Sequence, residues 1–346
     1  MSNINDISDR TFWRSHAPRI NKPVKIKAVG DITFPRSSGK VLIGTMPQYF
    51  ANVTSLLKSD HLVGNLEGPA TDHNKFRKNT KDNKNLKAFR FAPALVADNL
   101  KGAGFDVLHI ANNHTLDCAS TGLSDTVNCI QNAGLVDTGL KNQISYVDDE
   151  AGRTAFIGFN YCAPFNDVHN IAAGKALVAE AKKKAAVVIV TFHAGAEGAK
   201  AMQVVNKEEY FLKERRGNTV AFSRAMIDSG ADAVIGFGPH VLRGIELYKG
   251  KLIAYSLGNF LSVGGLSAKG VQGLSVILSL NLAEDGAFIS GKLIPIKLSY
   301  TNGKKPVFDP SGASIKLIRA LTIKYYQTYK MPMNLNIDAE GNITGH

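Results

Sequence analysis

The chain has 346 residues, 44% of them hydrophobic and 20% charged, which is enough apolar material for a sizeable core and argues against a disordered polymer. Its three cysteines (Cys118, Cys129, Cys162) are odd in number and lack CxxC spacing, which argues against a disulfide framework or a thiolate zinc site and leaves reduced core thiols. The formal net charge of +12 favours anionic partners: nucleic acid, phosphorylated metabolites, an acidic polymer or a membrane surface.

Residues 1–23 read as an N-terminal tail without an apolar h-region, and no later run approaches the roughly 20 apolar residues of a membrane span. The chain as written is expected in the cytoplasm; a membrane-associated or exported form trimmed at its N-terminus would read the same way. KIKAVG (25–30) is a strand broken by GDITFP, and HLVGNLEG (61–68) is a strand feeding a turn. A basic insertion follows at about 68–90, where Lys75, Arg77, Lys78, Lys81, Lys84, Lys87 and Arg90 face only Asp72 and Asp82. It reads as a solvated loop or as an electrostatic funnel for an anionic substrate, with Arg77 and Lys78 as substrate contacts.

PALVADNLKGAG (93–104) is a helix with a glycine stop, FDVLHIAN (105–112) a strand and TGLSDTVNCIQNAG (121–134) a helix. RTAFIGFN (153–160), AAVVIVTFH (185–193) and ADAVIGF (231–237) are strands separated by helices over 174–185 and 219–230. Such alternation specifies a layered α/β sheet. After His240, residues 244–260 and 273–298 read as hairpins turning at Lys249-Gly250 and Glu284-Asp285-Gly286, and predict a second, antiparallel sheet. Residues 24–325 read as one domain and 326–346 as a C-terminal tail.

Polar residues recur where these strands end: Asp31, then Asn65 and Glu67, then Asn112, Asn113 and His114, then His193, then His240. In a mostly parallel sheet such ends share one edge, so the groups can converge on one ion cluster. Oxygen and imidazole donors without thiolates suit Mn, Fe, Zn or similar ions, and paired ions drive in-line displacement at phosphorus. A histidine outside the ligand set can protonate the leaving oxygen.

Smaller signals read more plainly. His109, inside a strand, is a satisfied core histidine or a support for the site, and His61, His73 and His169 are expected on the surface. Gly264, Gly265, Gly270 and Gly273 match no phosphate-binding spacing. Lys213–Gly217 (KERRG) reads as a charged helix end in preference to an anion contact, and Glu197 as a cap or a support for His193 four residues earlier.

GD at 30–31, GNLEG at 64–68, ANNH at 111–114, FHAGAEG at 192–198, GFGPHVLRGIE at 236–246 and YSLGNFL at 255–261 together resemble the blocks of the bacterial capsule-synthesis proteins of CapA/PgsA type. That family lies in the calcineurin-like metallophosphoesterase superfamily, and the resemblance runs from about Val24 to Pro310. It implies an α/β, four-layer αββα sandwich with one or two divalent ions (Mn, Fe or Zn) at the strand ends. Carried over, Asp31 binds one ion, Glu67 or Asn65 takes the bridging position, Asn113 binds the second ion, and His193 and His240 supply imidazoles. His114 acts as general acid or phosphate contact, Asn259 lines the pocket, and Arg243 neutralises substrate charge. The superfamily's Asp-x-His is Asp31-Ile32-Thr33 here, and its last block keeps one histidine of two, His240, behind Phe237 and Gly238.

The function implied is a metal-dependent, phosphoesterase-like hydrolase of capsule or polyanionic-polymer synthesis, of the poly-gamma-glutamate type, acting on an anionic substrate and working beside a capsule synthase. The alternative is a catalytically degenerate accessory factor that grips an anionic polymer or a synthase partner. A nuclease is less favoured, and nucleic acid is not the expected partner.

Overall fold

Two mixed β-sheets lie face to face in a computed structural model that describes residues 22–36, 48–76, 88–150 and 152–346, together with the backbone of 9–13. The first sheet has seven strands in the order 9–13, 144–149, 152–160, 187–193, 233–237, 251–254, 245–248. The second has ten, running 335–337, 342–345, 288–298, 274–282, 24–33, 61–66, 107–109, 136–138, with 259–262 beside 24–33 and 306–308 beside 288–298.

Side-chain alternation assigns the layers. From Val24–Thr33, Val24, Ile26 and Ala28 enter a core shared with Phe156, Val188 and Val190 of the facing sheet, whereas Val29 and Ile32 enter another core with Leu62, Leu66 and Leu108. Helices Pro93–Ala103 and Ala119–Asn132 cover that other face through Val96, Leu100, Val127 and Ile130. Helices Ile171–Lys184 and Thr219–Asp228 cover the outside of the seven-stranded sheet through Val178, Ala181, Val220 and Met226. Each such valine, leucine, isoleucine, phenylalanine or methionine side chain, fully buried, contributes roughly 1.5–3 kcal/mol. The expected αββα sandwich is the fold observed.

Local chemistry sets the helix ends. Pro93 occupies the first turn of its helix and Gly104, at φ 86°, closes it in the left-handed conformation. Asn170 and Asn218 cap the two other helices, accepting from Ala173 N at 3.1 Å and Ala221 N at 3.0 Å. Val187–His193 is buried at every position, as a parallel strand covered on both faces must be.

Three expectations are corrected. The C-terminal hairpins exist, but they extend both sheets and do not build a separate antiparallel one: Lys251–Ala254 runs parallel to Ala233–Phe237, and Leu274–Leu282 runs antiparallel to Val24–Thr33. Both are apolar on two faces (Leu252, Ile253, Ile277 and Leu278 are buried) and need cover on each side. Residues 326–346 are not a peripheral tail. Helix Ala313–Thr328 runs through the expected boundary, and Leu335, Ile337 and Ile343 are buried in the core. At the other end, Asp9–Trp13 forms an edge strand parallel to Ile144–Asp149. No helix of the described residues is long and apolar enough to cross a membrane.

Candidate metal centre

Strand register brings the polar ends into one row. Asp31 pairs with Asn65 and with Asn259, and Asn65 pairs with His109; across the sandwich His193 lies between Asn160 and Phe237. One extra residue bulges the strand between Ala28, which pairs with Val63, and Asp31, and such bulges re-aim the side chains beyond them. Glycine is required there, because a Cβ on Gly30 would stand 1.9 Å from Gly258 O, and Asp31 N donates to that same oxygen at 2.9 Å.

His240 reaches the row from the other sheet. Its φ of 57° is left-handed, an uncommon state for a residue with a Cβ and one that histidine tolerates better than most. Its Nδ1 lies 2.9 Å from Asp31 Oδ2 and 3.0 Å from Asn259 Oδ1, and its Nε2 lies 3.4 Å from Glu67 Oε1. Asp31, Glu67 and His240 thus present three ligand atoms, all buried and within 4.8 Å of one another.

Asn65 and Glu67, alternatives in the sequence, have separate places. Asn65 Nδ2 donates to Asp31 Oδ1 at 2.8 Å and lies 3.3 Å from His193 Nδ1, while its Oδ1 accepts from Asn112 Nδ2 at 3.0 Å. Its amide is therefore spent on bracing neighbours. Both Glu67 oxygens, Asn113 Oδ1 and His193 Nε2 are buried without any hydrogen-bond partner. Such orphans are rare in folded proteins and point to a missing cation or water. His193 stands outside the three-residue group, its ring packed under Gly238, where a Cβ would lie 3.1 Å away.

Burial pushes the Glu67 carboxyl well above the usual range, and His240 partly relieves it. Burial works the other way on the His240 imidazolium, but Glu67, Asp31 and Glu197 outweigh it and push its pKa up to about 10. The pair therefore holds a proton that a cation would displace. His193 is held well below its ordinary value by burial and then by Arg216, which leaves it the neutral imidazole a metal ligand must be.

A cavity of about 650 Å³ opens over this cluster, lined by Asn113, His114, Glu197, Lys213, Arg216 and His240 among others. His114 Nδ1 is held by Asp117 Oδ2 at 2.9 Å, and its ring packs on Phe89 at 4.3 Å. Sequence reasoning misses Phe89 and Asp117 as site residues, although the i, i+3 spacing in HTLD signals the second. Phe89 corrects the view of 68–90 as wholly exposed: its ring is buried and Asp117 Oδ2 accepts its backbone N–H at 2.6 Å. Arg77 and Lys78 lie outside the described residues.

Four further expectations change. Arg243 is fully buried and pairs with Glu209 at 2.7 and 2.9 Å, so it does not face the cavity. Asn259 sits behind His240 and not on the cavity wall. His61 is buried, 3.1 Å from Asp149 Oδ2, because it opens a central strand. Lys213–Gly217 is part of a hairpin of Glu209–Phe211 and Glu214–Gly217, turned by Leu212 and Lys213 at φ 47° and 68°, values a type I′ turn needs. That hairpin carries Arg216, whose guanidinium is buried against the Tyr161 ring at 4.1 Å. His109 is the satisfied core histidine expected, 2.8 Å from both Thr191 Oγ1 and Ala111 O.

The family model described as "Bacterial capsule synthesis protein PGA_cap" matches residues 25–263, a span holding all six sequence blocks and well over half the chain. The chain belongs to that family. This chain is 31% identical over 220 residues to the PGA biosynthesis protein CapA of Bacillus subtilis (strain 168), covering 59% of this chain and 53% of the relative. It is 31% identical over 258 residues to the capsule biosynthesis protein CapA of Bacillus anthracis, covering 70% and 61%. A relative in Mycobacterium tuberculosis, described as a probable polyglutamine synthesis accessory protein, is 25% identical over 227 residues, covering 56% of each. The chain thus spans between 53% and 61% of the lengths of these relatives. Among solved structures it is similar to a 5'-nucleotidase precursor from Thermus thermophilus, with a TM-score of 0.43 and 12% identity over 89% of this chain and 59% of that one.

Proposed function

We propose that the protein is a metal-dependent, phosphoesterase-like hydrolase serving the synthesis of a capsule or similar polyanionic polymer. The observation that carries this reading is the pair of buried Glu67 oxygens that no hydrogen bond satisfies, beside Asp31 and beside His240, which lines the same cavity as His114. The donor set fits a divalent cation: carboxylates and imidazole with no thiolate suit Mn, Fe or Zn. Asp31, Glu67 and His240 would hold one ion, with Asn113 and His193 available to a second. Bound there, such ions supply Lewis-acid polarisation of a phosphoryl oxygen and a more acidic water.

The chain's own groups do the rest. Asp117 fixes His114 with Nδ1 engaged, leaving Nε2 to deliver a proton to the departing oxygen. Lys213, on the cavity wall, draws an anionic substrate in, and the net charge of +12 helps at longer range. Turnover of an aryl phosphate with added Mn2+, compared with Asp31→Asn and His114→Ala, tests the reading. Absence of Mn-dependent turnover, with all three proteins alike, sinks it.

A second reading, an accessory factor that grips an anionic polymer or its synthase without hydrolysis, is supported by the description of the M. tuberculosis relative and by the single histidine of the 236–246 block. Less than about one metal per purified chain, together with no turnover, favours it.

A further inference from the structure

We infer that Glu197, positioned by Arg216, is a fourth protein ligand of the cation site beside His240. The inference rests on the reading of Asp31, Glu67 and His240 as a cation site and adds a residue to it.

Glu197 Oε1 accepts from Arg216 Nη2 at 2.7 Å, and the other oxygen, Oε2, lies 3.8 Å from His240 Nε2. That same nitrogen lies 3.4 Å from Glu67 Oε1. Two carboxylates thus flank one imidazole nitrogen at the edge of the cavity. The imidazole between them offsets their charge, and the Glu67 oxygens, fully buried and without a hydrogen bond, are placed with Glu197 Oε2 to give that role to a bound cation.

The segment carrying Glu197 is fixed along its length. Gly195 N donates to Arg216 O at 2.8 Å and Gly198 N to Pro239 O at 2.9 Å, next to His240. Between them, Ala196 N donates to Glu209 Oε2 at 3.1 Å and Ala196 O accepts from Arg243 Nη2 at 3.0 Å. The Arg243–Glu209 pair therefore clamps the backbone on which Glu197 sits. Arg216 holds the side chain itself, from a position that is costly for a cation: buried, stacked on Tyr161 at 4.1 Å and Phe211 at 5.3 Å, with Nε and Nη1 unpartnered. Arg216 is a positioning residue in this account. Its other ion pair, to Glu214 Oε2 at 2.9 Å, fixes the guanidinium from the solvent side.

Three carboxylates and one imidazole make an oxygen-rich ligand set open to Mn2+ and to Zn2+, in which each carboxylate adds charge that a divalent cation needs. The experiment is titration calorimetry of the full chain with MnCl2 and with ZnCl2, for the parent, Glu197→Gln, Arg216→Gln, the double variant and Asp31→Asn, each checked for its melting temperature. Glu197→Gln is expected to weaken Mn2+ binding about tenfold or more. The double variant is expected to bind Mn2+ no worse than Glu197→Gln alone, because Arg216 acts through Glu197. Unchanged Mn2+ affinity in Glu197→Gln overturns the inference while the cation site stands. Additive losses overturn the role of Arg216. A parent that binds neither metal overturns the cation reading itself, a result separate from the other two.

Discussion

Asp117 holds His114 from three residues downstream, Oδ2 to Nδ1 at 2.9 Å, and the same carboxylate oxygen accepts the Phe89 N–H at 2.6 Å. One carboxylate therefore fixes both the ring that faces the cavity and the aromatic residue on which that ring rests.

If His114 delivers a proton to the leaving oxygen, its loss matters most for poor leaving groups. His114→Ala is expected to lower kcat for phenyl phosphate by about 10²–10³ and for p-nitrophenyl phosphate by much less. Equal losses across a leaving-group series would remove His114 from that role. Asp117→Asn is expected to act in the same direction but less strongly.

Cation binding should release protons, because Glu67 is held above the usual carboxyl range by burial and the His240 imidazolium is held up to about 10. The proton this pair shares must leave before both residues can ligate, so affinity rises with pH, by about tenfold per unit for a proton displaced. Calorimetry in buffers of different ionisation heat counts the protons released; a count near zero contradicts the account.

His109 sets an acid limit on stability. Burial lowers its pKa from 6.5 to about 4, so between those values the unfolded chain binds a proton that the folded one does not, and stability falls as pH drops from about 6.5 to about 4, by roughly 3 kcal/mol in all. Urea unfolding at neutral and acid pH measures the loss, and His109→Gln is expected to show a smaller one.

Two glycines should respond oppositely to alanine. Gly30→Ala forces a methyl to within 1.9 Å of Gly258 O and is expected to cost at least about 1–3 kcal/mol and to displace Asp31. Gly102→Ala, in helix Pro93–Ala103 with nothing within 4 Å, is expected to stabilise by about 0.4–1 kcal/mol. Melting temperatures of the two variants decide both.

Much of this was legible in the sequence, for identifiable reasons. The apolar runs ending in Asp31, Asn65, Asn113, His193 and His240 mark strand ends whatever the topology, because a buried parallel strand is apolar throughout and its polar exit is abrupt. The pairing of the C-terminal hairpins was not legible, since alternation tells which face is buried but not which neighbour covers the edge. Arg243 misled because a single arginine near a site looks alike whether it meets substrate or Glu209. Arg216 lay in a charged run, KERRG, whose composition hides one fully buried residue among exposed ones, and the short strand containing it has no helical or alternating period long enough to detect.

Leu278 pairs with Ala28, 250 residues earlier in the chain, in the strand that presents Asp31. A ribosome must therefore deliver most of the polypeptide before that strand gains its second neighbour, and the closure of so long a loop makes this step a slow one. A fragment cut at residue 263, where the family match ends, would keep 259–262 beside Asp31–Thr33 but leave residues 24–28 with an open edge and a tendency to aggregate. Competence to assemble the centre is thus a property of the whole chain, acquired late in its synthesis.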